Sequence, residues 1–138
     1  MRSLLLIILG LLLNNFAQAT NIQLKETLDC LYKAGTEGEL TKNLEWKTKT
    51  TNSSEMKVTF SNMSGKNPIV VGNTGSSELV KIAGSKGVLY AIEMTEKRNL
   101  ILWTFWEHEG RLFSSLKKQY NFFGPLSLEK YGTCRWRG

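Results

Sequence analysis

His108, the one histidine in the chain and so the one side chain that ordinarily titrates near neutral pH, stands between Glu107 and Glu109. Flanking carboxylates favour the imidazolium, so the trio could form a pH-sensitive charge. It falls in an expected hairpin loop, Glu107–Gly110, where solvation is the simpler role. A nucleophilic triad would need Asp29, the single aspartate, and no serine occupies a Gly-x-Ser-x-Gly elbow. Glutamates paired across a cleft could hydrolyse a glycoside. Here the glutamates fall at expected turns or solvent-facing strand positions, which suits solvation. Gly84-Ser85-Lys86-Gly87 reads as a turn, not a phosphate-binding loop, and there is no dinucleotide fingerprint. A protein that is not an enzyme, with no cofactor, is expected.

The two cysteines, Cys30 and Cys134, lie near opposite ends of the chain. There is no Cys-x-x-Cys, and one histidine cannot complete a tetrahedral zinc site with two thiolates, so no metal is expected. A single disulfide is the simplest pairing in an oxidising compartment. Export is indicated independently. Arg2, the apolar run Leu4–Leu13 and Ala17-Gln18-Ala19 have the form of a signal peptide, Met1–Ala19. That apolar run is short of the roughly 20 residues a spanning helix needs. Cleavage after residue 19 would leave 119 of the 138 residues, 20–138, the size of one domain. A periplasmic or secreted location follows. Asn52-Ser53-Ser54 and Asn62-Met63-Ser64 have the form of glycosylation acceptors, which matters only in a eukaryotic source; the Ala-x-Ala site leans bacterial.

Charge is unevenly placed. Without Arg2, 17 of the 18 basic residues remain against 12 acidic ones, a net of +5. The excess lies after residue 110, in Arg111, Lys117, Lys118, Lys130, Arg135 and Arg137 against Glu129 alone. Lys130, Arg135 and Arg137 form a candidate basic patch for weak contact with anionic surfaces. The plainer reading is a solvated strand face with a frayed tail. No dense Lys/Arg run marks a dedicated nucleic-acid site.

Positioning these groups falls to a succession of short strands. Turn-forming residues recur about every ten positions, at 51–54, 64–67, 73–76, 84–87, 95–98, 107–110 and 121–125. Leu44, Trp46 and Thr48 alternate with charged neighbours, as do Met56, Val58 and Phe60 with polar ones. The runs 69–71, 79–83, 88–94, 100–106, 111–120 and 126–131 follow. The pattern predicts one all-β domain, an antiparallel meander of about eight strands closed as a barrel or folded as a sandwich. The segment 21–34 fits either period; a strand is favoured, since a Cys30–Cys134 bridge would staple the first and last strands.

Four-residue loops at 95–98 and 107–110 set two registers. The first pairs Ile92 with Ile101, Tyr90 with Trp103 and Val88 with Phe105 as core. The second pairs Phe105 with Leu112, Trp103 with Ser114 and Ile101 with Leu116. Outward then lie Leu89, Ala91, Leu100, Leu102, Trp106, Arg111 and Phe113, and the strand 100–106 is apolar on both faces. Its outer face needs a cover, either the N-terminal segment as a helix or a partner, with a homodimer as one form. Leu89, Leu100, Leu102, Trp106, Arg111 and Phe113 are the candidate interaction patch, and Arg111 beside Trp106 could make a cation–π contact.

The hairpin bearing Thr95, the stretch Lys117-Lys118-Gln119-Tyr120 and the terminal Tyr131-Gly132-Thr133-Cys134 resemble a family of small exported bacterial proteins with no assigned activity. The resemblance covers residues 87–134 and implies a compact periplasmic β fold with no catalytic residue to carry over. Gly87-Val88-Leu89-Tyr90 with Trp103-Thr104 resembles periplasmic inhibitors of C-type lysozymes, although Phe105-Trp106 replace the Lys-Gly of that pattern. Two functions are expected: a non-catalytic binding module for a protein or amphipathic ligand, or a lysozyme-inhibitor-like protein protecting the cell wall.

Overall fold

The computed structural model describes residues 22–51, 55–120 and 126–138. The expected leader 1–19, the expected acceptor at Asn52 and the turn expected at 121–125 lie outside them. Nine antiparallel strands follow: β1 Thr27–Leu40, β2 Trp46–Thr51, β3 Met56–Ser61, β4 Ile69–Gly72, β5 Gly75–Ala83, β6 Leu89–Met94, β7 Leu100–His108, β8 Arg111–Tyr120 and β9 Leu126–Arg137. Strands β3 to β9 pair in sequence, and β9 closes on β1, which also pairs with β3. The result is an eight-stranded closed barrel. β2 is extra and pairs with the far half of β1, so that β2, β1, β9 and β8 extend together beyond the other strands.

The segment left open between helix and strand is therefore strand β1 from Thr27 onward. Leu28, Cys30 and Tyr32 point inward and are buried, while Asp29 and Leu31 point out. Residues 22–26 cross the barrel's lower end, where the Met63 amide donates to the Glu26 carbonyl at 3.0 Å. That end is filled by Met63 and Pro68, with Ile22 and Leu24 packed against the core. Cys30 and Cys134 form the disulfide between directly paired positions of β1 and β9. β9 runs on to Arg137, so the basic tail is strand rather than a frayed end.

An eight-stranded barrel is just wide enough for side chains to fill its interior. Phe60 stands edge-on to Trp103 and to Phe105, each with ring centroids 5.0 Å apart, and Tyr32 is 5.8 Å from Trp103. The Tyr32 hydroxyl and Ser114 Oγ share a 2.7 Å hydrogen bond, satisfying two buried polar groups at once. Burial pushes the Tyr32 phenol well above its ordinary value, and the Ser114 bond only partly opposes this. Gly132, opposite Tyr32, makes room for that ring: a Cβ there would meet the Leu31 carbonyl at 2.6 Å and Tyr32 Cδ1 at 2.7 Å. The Tyr-Gly-Thr-Cys run is thus alternation along β9, Tyr131 and Thr133 outward, Gly132 and Cys134 inward.

Both hairpin registers differ from those expected. Between β6 and β7 the loop holds five residues, since Met94 pairs with Leu100. Arg98, with φ 59°, closes it in the left-handed region, and the Thr95 amide bonds the Asn99 carbonyl at 3.0 Å. One residue of slip turns every β6 side chain over. Leu89, Ala91 and Glu93 therefore face inward, and Val88, Tyr90 and Ile92 are not core pairs of β7. Between β7 and β8 the loop is only Glu109-Gly110, with φ 51° and 71°, the primed turn that suits a twisted hairpin. That two-residue shift preserves the faces but re-pairs Phe105 with Ser114 and Trp103 with Leu116.

Candidate binding surfaces

The outward positions of β5 to β8 form one apolar face. Val80, Ile92 and Leu102 make a cross-strand row that ends at Lys117. Ile82 and Tyr90 pair below it, Met94 and Leu100 above it. Val80 is 63% exposed, Met94 68%, Leu100 48% and Ile82 46%. Trp106 pairs with Phe113, their rings stacked with centroids 6.1 Å apart. Among the described residues no helix covers this face, because the N-terminal segment is built into the wall instead.

The expected patch is thus partly redrawn. Leu100, Leu102, Trp106, Arg111 and Phe113 do point outward. Leu89 does not: it is buried in the lumen. Arg111 pairs with His108, and the stacking partner of Trp106 is Phe113. Sequence reasoning missed Val80, Ile82, Met94, Tyr90 and Ile92. Alternation in β5 held the signal for Val80 and Ile82, whereas the β6 residues were hidden by the slipped register.

The proposed basic patch is not one surface. Arg135 and Arg137 project outward from β9, while Lys130 lies on the strand's other face, in the extended region opposite Gly35 and Leu116. Arg137 holds Asp29 through Nε to Oδ2 at 3.0 Å and through Nη2 to Oδ1 at 2.7 Å. Asp29 also accepts from Thr59 Oγ1 at 2.8 Å. Partial burial opposes the Asp29 charge, but the Thr59 and Arg137 bonds more than reverse this and hold its carboxyl below the usual carboxylate range. Lys117 reaches Glu129 at 3.3 Å, and Lys118 lies 4.5 Å from the Tyr120 ring centroid.

His108 is exposed in its hairpin, 3.8 Å from Glu109. One glutamate departs from expectation. Glu93 is buried in the lumen at 7% exposure, where the Trp103 indole donates to Oε2 at 3.1 Å. Lys81 also points inward and donates to the carbonyls of Met63 and Gly65, the latter at 2.7 Å. Among the described residues there is no group of three or more His, Cys, Asp or Glu placed to hold a metal ion. No protein-family model, curated protein or solved structure matches this chain.

Proposed function

We propose that this is a non-catalytic binding module that works outside the cytoplasm, in the periplasm or as a secreted protein, and takes an amphipathic partner on the outer face of β5 to β8. The disulfide is consistent with an oxidising compartment, and the leader Met1–Ala19 provides the route. The observation that carries the binding role is the contiguous apolar row Val80–Ile92–Leu102 with Met94 and Leu100 standing largely in water. Exposed apolar patches of this kind mark interaction sites. The aromatic rings along the barrel axis occupy the space an internal ligand would need, which favours the outer face over a carrier lumen.

Four strands at about 4.8 Å spacing and some six residues of length give a face of only a few hundred Å². A stable dimer buries about 800 Å² per partner, so the face suits a single amphipathic segment or acyl chain better than a second copy. Titration with an amphipathic helical peptide and with a short-chain detergent below its micelle concentration, followed by amide NMR shifts, tests the reading. Saturable shifts confined to β5–β8 are expected. Shifts centred on Ala91, Trp103 and Phe105 would instead identify an internal carrier, and absence of saturable shifts would remove the binding role.

A further inference from the structure

On the opposite side of the barrel, the outer surface of β3, β1 and β9 is concave. Asp29, Leu31, Lys57, Thr59, Thr133, Arg135 and Arg137 border a cleft of about 590 Å³ there, which Cys30, Val58 and Cys134 also line. Its volume lies within the range of about 300–1,000 Å³ typical of small-molecule sites. The register fixes the arrangement. Thr59, Asp29 and Arg135 form one cross-strand row, and Lys57, Leu31 and Thr133 form the next.

Charge in this cleft does not balance. Lys57, Arg135 and Arg137 bring three positive charges against the one of Asp29. Asp29 is fully engaged, with Arg137 and Thr59 on both its oxygens. Glu55, on which Lys57 acts through space, is itself held by Lys33 at 2.9 Å. Among the described residues, neither Lys57 nor Arg135 makes an ion pair or side-chain hydrogen bond. Arg135 acts on Asp29 and Lys57 on Glu55 only through space, so two cations without hydrogen-bonding partners flank a floor that has already satisfied its own carboxylate. Their Cα atoms, two strands and two residues apart, are separated by about 12 Å. Two long side chains can close over an anion across that span. Thr133 and Thr59 add hydroxyl oxygens, and Leu31 a small apolar floor.

We propose that this cleft binds a phosphorylated or sulfated ligand of sugar size, its oxyanion held between Lys57 and Arg135 and its hydroxyls against Thr133 and Thr59. The guanidinium of Arg135 suits bidentate contact with a tetrahedral oxyanion, and Lys57 completes the clamp as a point charge. This site is separate from the apolar face and does not depend on it.

Calorimetric titration with inorganic phosphate, with a sulfated heparin-type disaccharide, and with phosphatidylglycerol vesicles tests the proposal on three proteins. These are the wild type, a Lys57→Ala/Arg135→Ala double variant, and a Lys66→Ala/Lys97→Ala variant that removes the same charge elsewhere. Expected is saturable binding of the disaccharide that weakens at least tenfold in the first variant and less than twofold in the second, with thermal midpoints unchanged. The same selective loss seen only with vesicles would identify the anion as a lipid headgroup, and seen equally with inorganic phosphate would reduce the ligand to the oxyanion itself. Equal weakening in both variants would mean diffuse electrostatic adsorption and overturn the site, as would absence of saturable binding to all three probes.

Discussion

Thr59, Asp29 and Arg135 stand in one outward row across β3, β1 and β9, whereas Val80, Ile92 and Leu102 stand in another across β5, β6 and β7. Inside, the two regions are alike: Leu28, Cys30, Val58 and Phe60 line one part of the lumen, Leu79, Ala91, Trp103 and Phe105 the other. Burial on the inner face is what holds the barrel closed, and it leaves the outer residues free to be set by other demands. On the first side Asp29 is satisfied by Thr59 and Arg137, while the Lys57 and Arg135 side chains are left without a hydrogen-bonding partner among the described residues. On the second, apart from the Trp106–Phe113 stack, apolar groups are left partly or largely in water among the described residues. A side that closes off its one carboxylate and keeps a surplus of cations is built to attract negative charge, and a side that leaves apolar groups in water is built to lose that water to a partner.

The largest expected effect falls on the first side, where the covalent staple lies. Replacing both cysteines, Cys30→Ser with Cys134→Ser, should lower stability by about 2–5 kcal/mol, read from the urea midpoint. Hydrogen exchange should quicken first at β1 and β9, whose pairing the bridge fixes, and later at β6 and β7. Uniform acceleration around the barrel would show that the two sides open as one unit and that the contrast is confined to surface chemistry.

An intermediate effect should separate the sides by pH. Asp29 titrates below its ordinary value near 3.8 in the folded protein. Its carboxylate therefore stabilises the fold fully above the unfolded value, and that contribution is lost as pH falls through the lowered one. Asp29→Asn should cost about 1 kcal/mol or less at pH 7, as partly exposed ion pairs do. The difference from wild type should shrink below pH ~4. Urea titrations at pH 7 and pH 3 check this, and a gap that persists at the lower pH would assign the loss to packing rather than charge.

How far this division was legible in the sequence follows from periodicity and its limits. Strand alternation disclosed the β class, the strand count and the disulfide, because a period of two and a cysteine pair are local or unique signals. The outer apolar face was visible in Leu100, Leu102 and Trp106, since from Leu100 to Trp106 β7 is apolar on both sides but for Thr104. Its extent was not, because β6 carries Leu89, Tyr90, Ala91 and Ile92 in an unbroken run, and only the loop length decides which of them point in. Arg98 in a left-handed conformation added one residue to that loop, and nothing in its chemistry announces this. The cleft was hidden for a different reason. Lys57 and Arg135 lie 78 positions apart, brought together only when β9 closes on β1. The basic excess of the last quarter pointed toward Arg135 but grouped it with Lys130, which the strand's alternation places on its other face.

The smallest expected effect is the most decisive for the apolar side. Val80→Lys with Met94→Lys places two charges on β5 and β6 at positions that are 63% and 68% exposed. Side chains already in water lose little burial on substitution, and surface changes away from caps and networks usually stay within about 0.5 kcal/mol. Lysine fits a strand less well than valine, which accounts for a few tenths of that, on the order of the spread in strand propensity. The urea midpoint should therefore be nearly unchanged, while the β5–β8 shifts with amphipathic peptide or detergent should disappear. A loss of about 2 kcal/mol or more would mean that these side chains are buried in the folded protein, by a neighbouring copy or by chain outside the described residues. The apolar side would then be core rather than surface, and only the charged side would remain open to a ligand.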